Sequence, residues 1–141
     1  MVKDDYAAAA GKHVDDAGVL LHGQRFDGAG YLAGYAVECV LKTLIKAEVG
    51  KGGQVPWIHD LDKLSSCAVR LVSQPKQRTA RYVKHPGVTA LKYGFPGGWE
   101  ETLRYTAPGT VTESVASSWV QEARRLHIEV IVAMKLDGVI P

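Results

Sequence analysis

Glu38, Lys42 and Lys46 recur every four residues, and Tyr31 and Tyr35 continue the same line towards the N-terminus. On a helix these five side chains share one face. The plainer reading is a solvated edge with a Glu38/Lys42 pair worth a few tenths of a kcal/mol, roughly 0.2–0.5. The sharper one is a polar ridge at a site. A second cluster is basic: residues 63–99 hold seven Lys and Arg side chains and no acidic one, although the whole chain carries a formal charge of only +2. Such asymmetry points to a polyanion-facing segment on an acidic body, fit for RNA, DNA or a nucleotide. Arg78, Arg81, Tyr82 and His85 share a side of the helix expected there, which makes the densest basic surface the sequence can build. His59, just before Asp60, reads first as support for a helix start. His13 and His22 read as surface residues, and His127 as a core or interface histidine.

These groups need helices to position them. Apolar residues at three- and four-residue steps from Leu32 to Ala47 make residues 25–49 a central helix. Gly28, Gly30 and Gly34 would each cost it about 1 kcal/mol relative to alanine, offset where a neighbour approaches closely. Asp4 or Asp5 caps a first helix ending near His22, with Gly23 as its C′ residue, and the short link makes helices one and two a hairpin. Asp60 caps a third helix to about Ser73, and Pro75 opens a fourth, to Lys84. Residues 86–109 are irregular, rich in Gly, Pro and aromatics, with a short helix expected near residues 99–104. Thr110 and Glu113 stand in capping-box spacing before a long last helix reaching Leu136.

With no strand alternation, the chain is expected to be all-α: a single domain over residues 1–141, an up-and-down bundle of four to five helices. Its 46% hydrophobic content suffices for a core without disulfides. Cys39 and Cys67 are expected on apolar helix sides as free thiols. The acidic N-terminus lacks a signal-peptide pattern and no run approaches a membrane span, so a soluble, cytoplasmic protein is expected. No Glu-x-x-His supports a di-iron bundle, and no Walker A, His-Glu-x-x-His or Gly-x-Ser-x-Gly is present. No metal and no cofactor are expected.

Residues 23–42, GQRFDGAGYLAGYAVECVLK, followed by His59-Asp60-Leu61 and Arg104-Tyr105, resemble the HEPN family (higher eukaryotes and prokaryotes nucleotide-binding). The resemblance implies a helical bundle, a homodimer and a link to RNA or nucleotides. It also implies a minimal nucleotidyltransferase as partner in a toxin–antitoxin pair. Active members are metal-independent endoribonucleases carrying an Arg, four to six residues, then a His. Here Arg78 and His85 fit, with Glu38 as the supporting polar residue on an earlier helix. Histidine would move protons at the ribose 2′-OH and arginine would steady the phosphate. The residues expected to face nucleic acid or nucleotide are Lys76, Arg78, Arg81, Lys84, Lys42, Arg104 and Tyr105. Three readings stand: a binding module, a metal-independent ribonuclease, and a purely structural dimer.

Overall fold

The computed structural model describes residues 3–50, 52–72, 79–83 and 98–141. The elements in order are α1 (Tyr6–His22), α2 (Phe26–Val49), α3 (Leu61–Val72), α4 (Ala80–Val83), a 3-10 turn (Glu101–Tyr105), α5 (Glu113–Leu126), a π-helical segment (His127–Val132) and α6 (Ala133–Leu136). The result is an all-α bundle, with no strand among the described residues. No described helix is long and apolar enough to cross a membrane.

α2 is central because it is apolar on nearly every side: its buried residues run almost without a break from Ala29 to Ile45. It touches α1, α3, α5, the 3-10 turn and the π segment. Its glycines are the points of closest approach. A Cβ on Gly30 would press on Val111 and Trp119, and one on Gly34 would overlap the Trp99 indole. So the glycines that weaken α2 as an isolated helix let α5 and Trp99 seat against it.

Asp5 caps α1, accepting from the Ala8 N–H at 3.0 Å. α1 then lays Ala10, Val14 and Ala17 on α2. The turn between them differs from expectation in one residue. Gly23 has φ −82°, and the left-handed residue is Gln24, at φ 62°. The Gln24 N–H donates to the Leu21 carbonyl and the Arg25 N–H to that of Leu20, which is the Schellman arrangement with glutamine at C′.

Asp60 caps α3 as expected, accepting from the Lys63 N–H at 3.0 Å. The cap of α5 is a correction: Thr112, not Thr110, accepts from the helix, at the Val115 N–H. Thr110 donates instead to the Ala107 carbonyl. The cause is Asp27 of α2, whose carboxylate accepts from the Gly109 and Val111 N–H groups, both at 2.8 Å, and holds that stretch away from helical geometry. These two bonds keep the Asp27 carboxyl below its ordinary pKa. The last helix does reach Leu136, but through the π segment, which spacing alone had read as uniform α-helix. The short helix expected near residue 99 is the 3-10 turn at Glu101–Tyr105.

Candidate phosphate site on the α2 ridge

Glu38 and Lys42 lie on a helix whose other faces are apolar, and closure of the bundle takes them out of water: they are 5% and 6% exposed. The solvated-edge reading of the ridge therefore does not hold for this pair. Lys42 Nζ donates to Glu38 Oε2 at 3.2 Å, and the other carboxylate oxygen, Oε1, accepts from His59 Nδ1 at 2.8 Å. A carboxylate has only acceptors, so this bond places the proton on Nδ1 and orients the imidazole. Nε2 makes no hydrogen bond among the described residues. His59 is held where it is because Asp60 starts α3 immediately after it, so the chain must turn over Glu38 at that residue. Its expected role beside a cap is thus joined by a second one, as partner of a buried carboxylate.

Around this core the ridge continues in both directions. The Tyr31 hydroxyl donates to that of Tyr35 at 3.2 Å, and the Tyr35 ring stands edge-on to Trp99 and to His59, with centroids 5.1 and 5.9 Å away. Burial, with the Tyr31 hydroxyl next, raises the Tyr35 pKa. Trp99 is locked by its own indole N–H, which donates to the Tyr31 carbonyl at 3.1 Å. Arg104 extends into solvent beside Tyr31, whose hydroxyl raises its pKa, and stacks over the exposed Tyr105 ring at 5.0 Å. Beyond Lys42, the Tyr6 ring of α1 lies 5.7 Å from Lys42 Nζ and 5.9 Å from Lys46 Nζ.

Lys42 and His59 open into a cleft of about 220 Å³ whose remaining walls are Asp4, Tyr6 and Trp57. Trp57 is 93% exposed. A fully solvated indole at the lip of a cleft floored by lysine and histidine can stack a base while the floor takes a phosphate.

His13 joins the same neighbourhood from α1, its ring 6.1 Å from that of Tyr35. It is half-buried and its Nδ1 has no hydrogen-bond partner among the described residues, so it is not the plain surface residue its spacing suggested. Burial lowers its pKa, with Lys12 adding to the effect. His127 is half-buried over Gly11, and burial lowers its pKa too. Cys39 is a buried free thiol pushed up to about 12 by burial and the Glu38 charge, which leaves it inert.

Of the other residues singled out by sequence, Lys76, Arg78, Lys84 and His85 lie outside the described residues, so the meeting of Glu38 with Arg78 and His85 does too. Arg81 is described, and its guanidinium is bonded to the Asp137 carboxylate, which also accepts from the Tyr82 hydroxyl. Tyr82 is buried. That part of the expected basic face is a latch between α4 and the residues after α6. Among the described residues, no three His, Cys, Asp or Glu side chains are placed to share a metal ion. No family model, curated protein or solved structure matches the chain.

Proposed function

We propose that this protein is a nucleotide- or RNA-binding helical module whose phosphate site is the Lys42–His59 cleft, with Trp57 as its stacking platform. The observation that carries the reading is the buried Glu38 carboxylate bonded at once to Lys42 and His59. A buried ion pair is poor value for stability, since apolar residues of similar volume serve as well or better. Its use is to hold a cation and an imidazole in fixed positions under an open cleft. Arg104 and Tyr105 supply a further cation and ring at the far end of the ridge. The likeness of residues 23–42 to the HEPN family supports the same class of ligand. It adds a homodimer and a minimal nucleotidyltransferase partner in a toxin–antitoxin pair, all as parts of this proposal. Calorimetric titration of a short single-stranded RNA is expected to give salt-sensitive binding. That binding should weaken about tenfold or more in His59→Ala. Equal affinity in the variant would remove the cleft from the account.

A second reading, a metal-independent ribonuclease, is favoured by the same Glu38–His59 bond. With Nδ1 protonated towards Glu38, a neutral Nε2 can take the proton of a ribose 2′-OH as that oxygen attacks the adjacent phosphorus. The 2′-O–P bond forms, the P–O5′ bond breaks, and the departing 5′ oxygen takes a proton from solvent. Lys42, Lys46 and Arg104 are described cations along the ridge that can stabilise the phosphate in flight. This version moves the proton carrier from His85 to His59. It expects cleavage unaffected by EDTA, products ending in a 2′,3′-cyclic phosphate, and a loss of roughly a hundredfold in His59→Ala.

A further inference from the structure

The cleft is not the end of the ridge. Tyr6 and Asp4, which wall it on one side, also wall a second and larger pocket of about 460 Å³, reached by passing the Tyr6 ring towards Lys46. The two cavities differ in chemistry. The first is floored by Lys42 and His59. The second is lined by Ala7, Ala47 and Ile140, with Lys3, Asp4, Asp5 and Lys46 as its charged residues. The acidic side chains can accept hydrogen bonds from ribose hydroxyls and exocyclic amines, and the apolar walls suit the flat faces of a base. Tyr6 is fixed between the cavities, with Lys42 and Lys46 on its ring and Asp4 by its hydroxyl, whose pKa burial and Asp4 together raise.

From this continuity we infer that the ligand is an oligonucleotide of at least two nucleosides. One base stacks on Trp57, the linking phosphate sits on Lys42 and His59, and the next nucleoside enters the Tyr6–Lys46 pocket. The inference rests on the proposed phosphate site and adds to it a minimum ligand length and a direction along α2. A free mononucleotide fills only the first cleft. A phosphodiester suits the arrangement better than a terminal phosphate, since the Asp4 carboxylate beside the cleft disfavours a second negative charge.

The test compares two probes by calorimetry at low salt: a nucleoside 3′-monophosphate and a 2′-O-methyl dinucleoside monophosphate, which cannot be cleaved by its own 2′-oxygen. The dinucleotide is expected to bind about tenfold tighter or more, the gain of seating a second base. Ala47→Leu fills the second pocket and is expected to cut dinucleotide affinity to the mononucleotide level. Lys46→Glu, at an exposed position where folding is undisturbed, is expected to cut it as well. If the mononucleotide binds but the dinucleotide binds no tighter, the second subsite is wrong and the phosphate site stands. If the dinucleotide binds tighter but neither variant weakens it, the extra contact lies elsewhere and the inference fails. If neither probe binds the parent protein, the phosphate site falls and the inference with it.

Discussion

Glu38 and Lys42 set a stability cost against a positional gain, and the two can be separated by substitution. Lys42→Ala leaves a carboxylate buried with only His59 as its partner, and is expected to destabilise the protein by about 3–5 kcal/mol in denaturant unfolding. The double change Glu38→Leu with Lys42→Met replaces the pair with apolar groups of similar size, and is expected to restore stability to the parent value or above. RNA binding should be lost in that same variant. If the double variant is as unstable as Lys42→Ala, the pair is chiefly a structural tie and the case for a site weakens. The sequence carried the ridge openly in the spacing of Tyr31, Tyr35, Glu38, Lys42 and Lys46, but spacing does not say which side of a helix is wet. Here the flanking residues could have decided it: Val37, Cys39, Val40 and Leu41 leave no wide polar face, so Glu38 had to be buried along with them. His59 was legible as the residue before a cap, and its partner was not, because a contact across 21 positions depends on where α3 docks.

At the scale of elements, caps and periodicity located most of the helices, and the departures have local causes. Thr110 held the better capping-box spacing, yet Thr112 is the cap, because two backbone N–H groups are drawn to Asp27 from 82 and 84 positions away. Thr112→Ala is therefore expected to cost about 1 kcal/mol, and Thr110→Ala less than about half of that. Loss of equal stability in the two would return the cap to Thr110. Gln24 occupies a left-handed conformation that glycine adopts freely, so Gln24→Gly is expected to stabilise by about 0.5–1 kcal/mol in thermal unfolding. Gly34→Ala should destabilise by about 3 kcal/mol or more, since the Trp99 ring must leave its seat and with it the Tyr31 carbonyl. The π segment left no mark in the apolar stripe of the last helix, because Leu126, Val130, Ile131 and Met134 remain buried through it.

For the whole molecule, half-buried histidines and hydrogen-bonded carboxylates among the described residues contribute to the response to acid. His13 and His127 are held neutral by burial, so their pKa values lie below the ordinary histidine value of 6.5. The unfolded chain takes up protons first as pH falls through that value, and stability drops until the folded values are also passed. Asp27 works at lower pH: its contribution is complete above the ordinary value of 3.8 and is lost as pH falls through its depressed folded value. Unfolding curves of His13→Gln with His127→Gln should therefore show a weaker dependence near pH 6 and keep the one below pH 4. Assembly is a separate matter. Gly30 and Gly34 are used within the chain against Trp119 and Trp99, so the proposed homodimer must draw on other faces. Sedimentation at micromolar concentration decides it, a monomer removing the dimer from the proposal. The site itself is tested most directly by nuclear magnetic resonance of ¹⁵N-histidine-labelled protein titrated with a nucleoside 3′-monophosphate. His59 is expected to show the Nδ1–H form in the free protein and to shift saturably at Nε2 as ligand is added, while exposed His22 stays still. A His59 signal unmoved at ligand concentrations that saturate binding, or a free-state proton on Nε2 alone, would contradict the account.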